Sequence, residues 1–156
     1  MITTFSETMK GKKTFGERLR LTRTKKGYTQ EMLADAIGYT RVCLNLWENG
    51  HGYPNAKAVA DIADVLDCSV DRLLGRQVEP GTLKPEKRRT FGEVLKEKRK
   101  ARGYKQYQIA ALRGCDVSTW QHWEKGHNYP SILVAIELAD FFDCSLDELL
   151  GRRVKE

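Results

Sequence analysis

Two stretches of this chain set polar side chains at helical spacing on what reads as one outward face. In the first, Arg41, Asn45 and Asn49 fall four apart, accompanied by Val42 and Leu46, while Gln30 and Thr40 stand at the starts of two short helical runs. In the second, displaced by 76 positions, Val117, Ser118, Gln121, His122 and Lys125 take the corresponding places and Gln106 the matching start. Guanidinium, amide, hydroxyl and imidazole groups in such an array donate and accept hydrogen bonds. That is the chemistry of recognition, not of bond making. No Ser-His-Asp pattern, phosphate-binding glycine loop or pair of acids in a recognisable setting occurs, so the sequence predicts no enzyme and no cofactor. The three histidines are scattered and the four cysteines form no C-x-x-C pair, so no metal site is predicted either. Cys43, Cys68, Cys115 and Cys144 read as free thiols that act as small buried hydrophobes.

Helices must carry these side chains, and the sequence supplies them. Gln30–Ile37 reads as a helix capped by Thr29, with Leu33, Ala34 and Ile37 on one face. Gly38 ends it, because glycine takes the left-handed conformation at no steric cost. Thr40 caps the next helix, Arg41–Glu48, in which Leu44 and Trp47 point inward and the recognition residues are left outside. A short basic amphipathic helix from Phe15 precedes this pair. Asn55 caps a fourth helix with Val59, Ile62, Ala63 and Leu66 on its apolar face, and Ser69 caps a short fifth. No segment alternates with period two, so the chain reads as all-α. Trp47, Trp120 and Trp123 read as core.

The whole unit occurs twice. Residues 91–152 repeat residues 15–76 without a gap, and about 26 of the 62 positions are identical. In the second copy Lys105 stands where Thr29 caps the first, and Asp116 takes the place of Thr40 as the cap of the third helix. The organisation is a flexible basic arm (1–14), a first unit (15–76), a linker containing Pro80, Gly81 and Pro85 (77–90) and a second unit (91–156). At full extension the fourteen linker residues reach about 45 Å, at ~3.3 Å each.

The formal net charge is +6 and the pI about 9.2, which permits a polyanionic partner. Within each unit the charge is ordered: a basic beginning (Lys10 to Lys26; Lys96 to Lys105) and an acidic end (Asp61, Asp64, Asp67, Asp71; Glu137, Asp140, Asp143, Asp147, Glu148). Hydrophobic and charged contents of 40% and 31% are those of a soluble globular protein. No apolar run approaches the roughly 20 residues of a membrane span, so a cytoplasmic protein with no membrane partner is predicted.

The run Q-x-x-x-A-x-x-x-G, then W-E-x-G and P, then an apolar helix ending in S-V-D-R-L-L-G, resembles the Cro and phage-repressor (XRE) helix-turn-helix family over nearly the whole of both units. The resemblance implies two tandem five-helix lambda-repressor-like domains and sequence-specific binding of double-stranded DNA by a transcriptional regulator of the repressor type. The family usually binds as a dimer, so a homodimer is a partner the resemblance allows. It places Gln30 and Gln106 against a DNA phosphate. It places Arg41, Val42, Asn45 and Leu46, and Val117, Ser118, Gln121 and His122, at base-reading positions. Asn49 and Lys125 match backbone contacts. Arg23 with Glu48, and Arg99 with Glu124, match a structural ion pair between the first and third helices. Because the reading residues differ, the resemblance implies a site with two unlike halves. Val42 and Leu46, apolar on the outward face, also fit a protein-interaction adaptor, the alternative reading.

Overall fold

Short polar side chains fix where most helices of this chain begin. The computed structural model describes residues 14–76 and 89–152. The first unit holds α1 (Phe15–Lys25), α2 (Gln30–Ile37), α3 (Arg41–Glu48), α4 (Ala56–Val65) and α5 (Val70–Leu73). The second holds α6 (Phe91–Ala101), α7 (Gln106–Arg113), α8 (Val117–Lys125), α9 (Ile132–Phe141) and α10 (Leu146–Leu149). The architecture is all-α, with five helices per unit. Thr29, Thr40, Asn55, Ser69, Ser131 and Ser145 each accept a hydrogen bond from a backbone N–H of the first helical turn, which otherwise lacks a partner.

Four helix starts differ from the sequence reading or add to it. Thr14 and Thr90, assigned to arm and linker, cap α1 and α6: each hydroxyl accepts from the N–H three residues on, and Glu17 or Glu93 returns the bond. Asp116 occupies the cap position of α8, but its side chain accepts no cap hydrogen bond. At Lys105 the cap works in one direction only, with the Gln108 side chain accepting from the Lys105 N–H at 2.9 Å. The rest of the arm and linker, residues 1–13 and 77–88, lies outside the described residues.

Phe15, Leu19, Leu33, Leu44, Ile62, Leu66, Leu73 and Leu74 are buried in the first unit. Phe91, Leu95, Ile109, Trp120, Leu138, Leu146 and Leu149 are buried in the second. In each unit the first helix lies directly on the end of the third. A methyl group at Gly16 would overlap the carbonyl oxygens of Trp47 and Glu48, and one at Gly92 those of Trp123 and Glu124. The four cysteines are free and half-buried against the core, less enclosed than the sequence suggests. Burial pushes the Cys68 and Cys144 thiols up to about 11, which leaves them inert at neutral pH.

Asp71 and Asp147 are buried while Asp67, Glu137 and Asp143 stay exposed, so the acidic ends of the two units are only partly solvated. They meet, with α4 against α9 and α5 against α10. The Asp71 carboxylate accepts from the backbone N–H groups of Leu146 and Asp147, both at 3.2 Å. In return the Asp147 carboxylate accepts from the N–H groups of Val70 at 3.0 Å and Asp71 at 3.4 Å, and from the Ser69 hydroxyl at 2.7 Å. Arg76 pairs with Asp71 and crosses to Asp140, while Arg152 pairs with Asp147 and crosses to Asp64. Burial, reinforced by the hydrogen-bonded Asp147 carboxyl, pushes the Asp71 carboxyl up to about 6.

The approach of α1 to α3 makes Gly16→Ala a direct test of the packing. The added methyl meets backbone, which yields less readily than a side chain. The substitution should lower stability by about 2 kcal/mol despite alanine's better helix propensity. A urea titration that leaves the unfolding midpoint unchanged would show the approach to be looser.

Candidate nucleic-acid interface

The outward residues of α3 and α8 are held by a short turn and a buried charge. Gly38 ends α2 with φ at 75°, and the Tyr39 N–H returns to the Ala34 carbonyl at 2.9 Å, so the chain reverses within two residues and starts α3 at Thr40. Gly114 and Cys115 make the same turn between α7 and α8. Leu44 and Trp47 bury one side of α3, which leaves Arg41, Val42, Asn45, Leu46 and Asn49 exposed on the other. On α8, Trp120 and Trp123 are buried; Val117, Ser118, His122 and Lys125 are exposed and Gln121 is half-buried.

Glu48, the last residue of α3, anchors this face from beneath. Its side chain is fully buried and accepts from Arg23 Nε at 2.6 Å and Arg23 Nη2 at 3.0 Å. Arg23 also donates to the Tyr28 carbonyl at 2.7 Å, which pins the α1–α2 loop. Gln30 Nε2 donates to Glu48 at 2.9 Å and brings in the start of α2. One carboxylate therefore ties three helices together. Burial by itself would raise the Glu48 carboxyl, but hydrogen bonds from Arg23, Gln30 and Arg20 outweigh it and hold the group below the usual carboxylate range. In the second unit Arg99 and Gln106 bind Glu124 in the same way, at 2.5 and 2.8 Å, and the Glu124 carboxyl is likewise lowered against the pull of burial.

The two sites differ in what joins this anchor to the outer face. In the first, Arg20 reaches from α1 to Glu48 at 3.4 Å and to Asn49 Oδ1 at 2.9 Å, and Asn49 donates to Asn45 at 3.1 Å. In the second, Lys96 replaces Arg20, and the Trp120 indole N–H gives Glu124 another bond, at 2.7 Å. Gln121 donates to Gln106 at 3.3 Å, and the His122 and His127 rings lie 5.6 Å apart. The roles of Arg20 and Trp120 went unread in the sequence. Arg20 precedes Arg23 by three residues and so shares its helix face, which was the available signal.

The helix-turn-helix family model matches twice, at residues 19–73 and 95–149. The chain belongs to the helix-turn-helix family. Among individual relatives, the SPbeta prophage-derived uncharacterized HTH-type transcriptional regulator YonR of Bacillus subtilis (strain 168) is 42% identical over 60 residues, which span 38% of this chain and 56% of YonR. The uncharacterized HTH-type transcriptional regulator YazB of the same organism is 44% identical over 59 residues, 38% of this chain and 86% of YazB. The match thus spans about half of YonR but most of YazB. A crystal structure of the P22 c2 repressor protein in complex with synthetic operator 9T shares 32% identity, covers 41% of this chain and 98% of its own, and has a TM-score of 0.40. Among the described residues, no helix is long and apolar enough to cross a membrane, and no three His, Cys, Asp or Glu side chains gather as metal ligands would.

Glu48→Gln would leave the Arg23 charge buried without a formal partner and should destabilise the chain by about 3 kcal/mol near neutral pH. The pH dependence follows from the lowered carboxyl. An acid whose folded pKa lies below its ordinary value of 4.5 contributes stability that is complete above that value and is lost as pH falls through the folded pKa. Denaturation curves of the two proteins should therefore converge as the pH falls below the ordinary carboxyl value of 4.5 and through the lower folded one. Parallel curves down to acid pH would remove Glu48 from the role given to it.

Proposed function

We propose that the chain is a sequence-specific double-stranded DNA-binding transcriptional regulator, of the repressor type, in which α3 and α8 are the two reading helices. The observation that carries this reading is the pairing, found twice, of an exposed polar helix face with a buried carboxylate that locks that helix to its two neighbours. A major groove about 12 Å wide admits an α-helix, and a helix held near its C-terminal end keeps one orientation as it enters. The regulator names carried by the relatives agree with this role.

The reading distributes the contacts. By side-chain type Arg41 would suit guanine O6 and N7, Asn45 and Gln121 adenine, and Val42 and Leu46 thymine methyl groups. Asn49 and Lys125, both exposed, would contact phosphates. Gln30 and Gln106 stand at the starts of α2 and α7, where helix N–H groups favour an anion. Their amide N–H groups are bound to Glu48 and Glu124, so each glutamine would pass the position of a phosphate directly to the anchor. Val42 and Leu46 are 67% and 43% exposed, and this apolar pair is what favours the second reading, an adaptor that docks a protein on α3.

Selection from a random duplex library at two salt concentrations should enrich a bipartite sequence, with log affinity falling linearly as log salt rises. Arg41→Ala should weaken binding to the selected duplex about 10- to 100-fold and relax the choice at one base pair. Binding without enrichment would reduce the chain to a nonspecific cation. Duplex binding untouched by Arg41→Ala and Asn45→Ala, with binding of a partner protein lost on Leu46→Asp, would favour the adaptor.

A further inference from the structure

The contact between the two units has the form of a symmetric dimer interface, although one chain supplies both sides. In a two-fold interface, if residue i of one copy meets j of the other, then j of the first meets i of the second. With the repeat offset of 76 positions that relation holds for the carboxylate and arginine contacts, while the Ser69 hydroxyl to Asp147, Arg152 to the Cys68 carbonyl and the Ala56 N–H to the Pro130 carbonyl run one way only. Asp71 binds the start of α10, and Asp147, its counterpart, binds the start of α5. Arg76 crosses to Asp140, and Arg152 crosses to Asp64. Asn55 and Ser131, also counterparts, face each other across an isolated antiparallel bridge.

Comparison of the repeats separates this seam from the outer face. Asp64, Ser69, Asp71 and Arg76 recur unchanged as Asp140, Ser145, Asp147 and Arg152. The five outward positions all differ: Arg41, Val42, Asn45, Leu46 and Asn49 against Val117, Ser118, Gln121, His122 and Lys125. A self-complementary surface is useful only if both sides keep it, whereas unlike halves of a target need unlike readers.

We propose that a single chain is the complete DNA-reading unit: the reciprocal Asp71–Asp147 clasp takes the place of a second chain and holds α3 and α8 at one separation, so that bipartite sites are selected by the spacing of their two halves. This rests on the DNA-binding reading above. The surface that would pair two chains is used within one, and Asp71 and Asp147 are only 5% and 2% exposed there. A linker with a reach of about 45 Å, were it the sole connection, would tolerate many spacings. Hydrogen bonds and ion pairs that cross the seam in both directions remove that freedom. Asp71 and Asp147 are positioning residues and touch no base.

Two measurements on the full-length chain test this. First, a protease recognition sequence is placed within residues 77–88 and cut after purification. The two halves should co-elute at the size of one intact chain and separate when Asp71→Ala and Asp147→Ala are combined. Second, the intact chain is titrated onto duplexes that carry both selected half-sites with spacers varied base pair by base pair. One chain should bind each duplex. The best spacing should be preferred about tenfold or more over one displaced by about half a helical turn, roughly 5 base pairs. In Asp71→Asn/Asp147→Asn the preference should flatten while affinity for a lone half-site changes less than about twofold, a split that general loss of structure would not produce. Asp64→Asn/Asp140→Asn, at more exposed positions, should flatten it partially if the first pair does not fold. Halves that separate, two chains per duplex, or equal affinity across spacings would overturn the proposal. Halves that co-elute while no duplex is bound at any spacing would remove the DNA-binding reading and this proposal with it, and would leave the clasp as an interface without that use.

Discussion

A buried carboxylate at the end of the third helix is the constraint on which each half of this protein depends. An ionised group enclosed by protein is tolerated only when its lone pairs are met, and Glu48 and Glu124 meet theirs with donors drawn from the two preceding helices. Several other features follow from that demand. The arginine must be buried as well, so it also takes the carbonyl of the α1–α2 or α6–α7 loop. The first helix must come close, which is why a residue without a side chain, Gly16 or Gly92, sits where it crosses the end of the third. The outer face inherits its orientation from this fixed end.

The same scaffold tolerates different interiors. Leu44 of the first unit is replaced by Trp120 in the second, and the larger ring brings an N–H that needs a partner; Glu124 supplies it. Tyr39 packs edge-on against Trp47, whereas Trp123 has Trp120 as its aromatic neighbour at 5.7 Å. The route from anchor to outer face changes accordingly. It runs through Arg20, Asn49 and Asn45 in one unit and through Gln106 and Gln121 in the other. The two faces therefore differ in their outward residues and also in how firmly, and from which side, those residues are held.

Much of this was legible because it is local. Helix starts followed from short polar residues, helix ends from glycines, and the buried side of each helix from its apolar spacing. Thr14 and Thr90 escaped because a helix start is hard to tell from the end of a polar segment until the returning bond from Glu17 or Glu93 is seen. The seam between units was not legible, for a physical reason. Nothing in the sequence marks Asp71 and Asp147 among the other acids, since their partners lie some 75 residues away and are mostly backbone N–H groups, which carry no mark in a sequence. The recurrence of an acidic end in both repeats was visible; that the two ends face each other was not.

The reciprocal seam also bears on how such a protein can change over generations. In a pair of identical chains every substitution appears twice, so a new preference must be acceptable in both halves at once. Here the two halves are encoded separately. A substitution on α3 leaves α8 as it was, and under the proposed reading a bipartite target could drift one half at a time while the other kept the complex in place. Asp64, Asp71, Arg76 and their copies have no such liberty, because each answers to a partner in the other half that must keep fitting it. Duplication followed by fusion thus divides one sequence into positions that are free to explore and positions bound to their own copies.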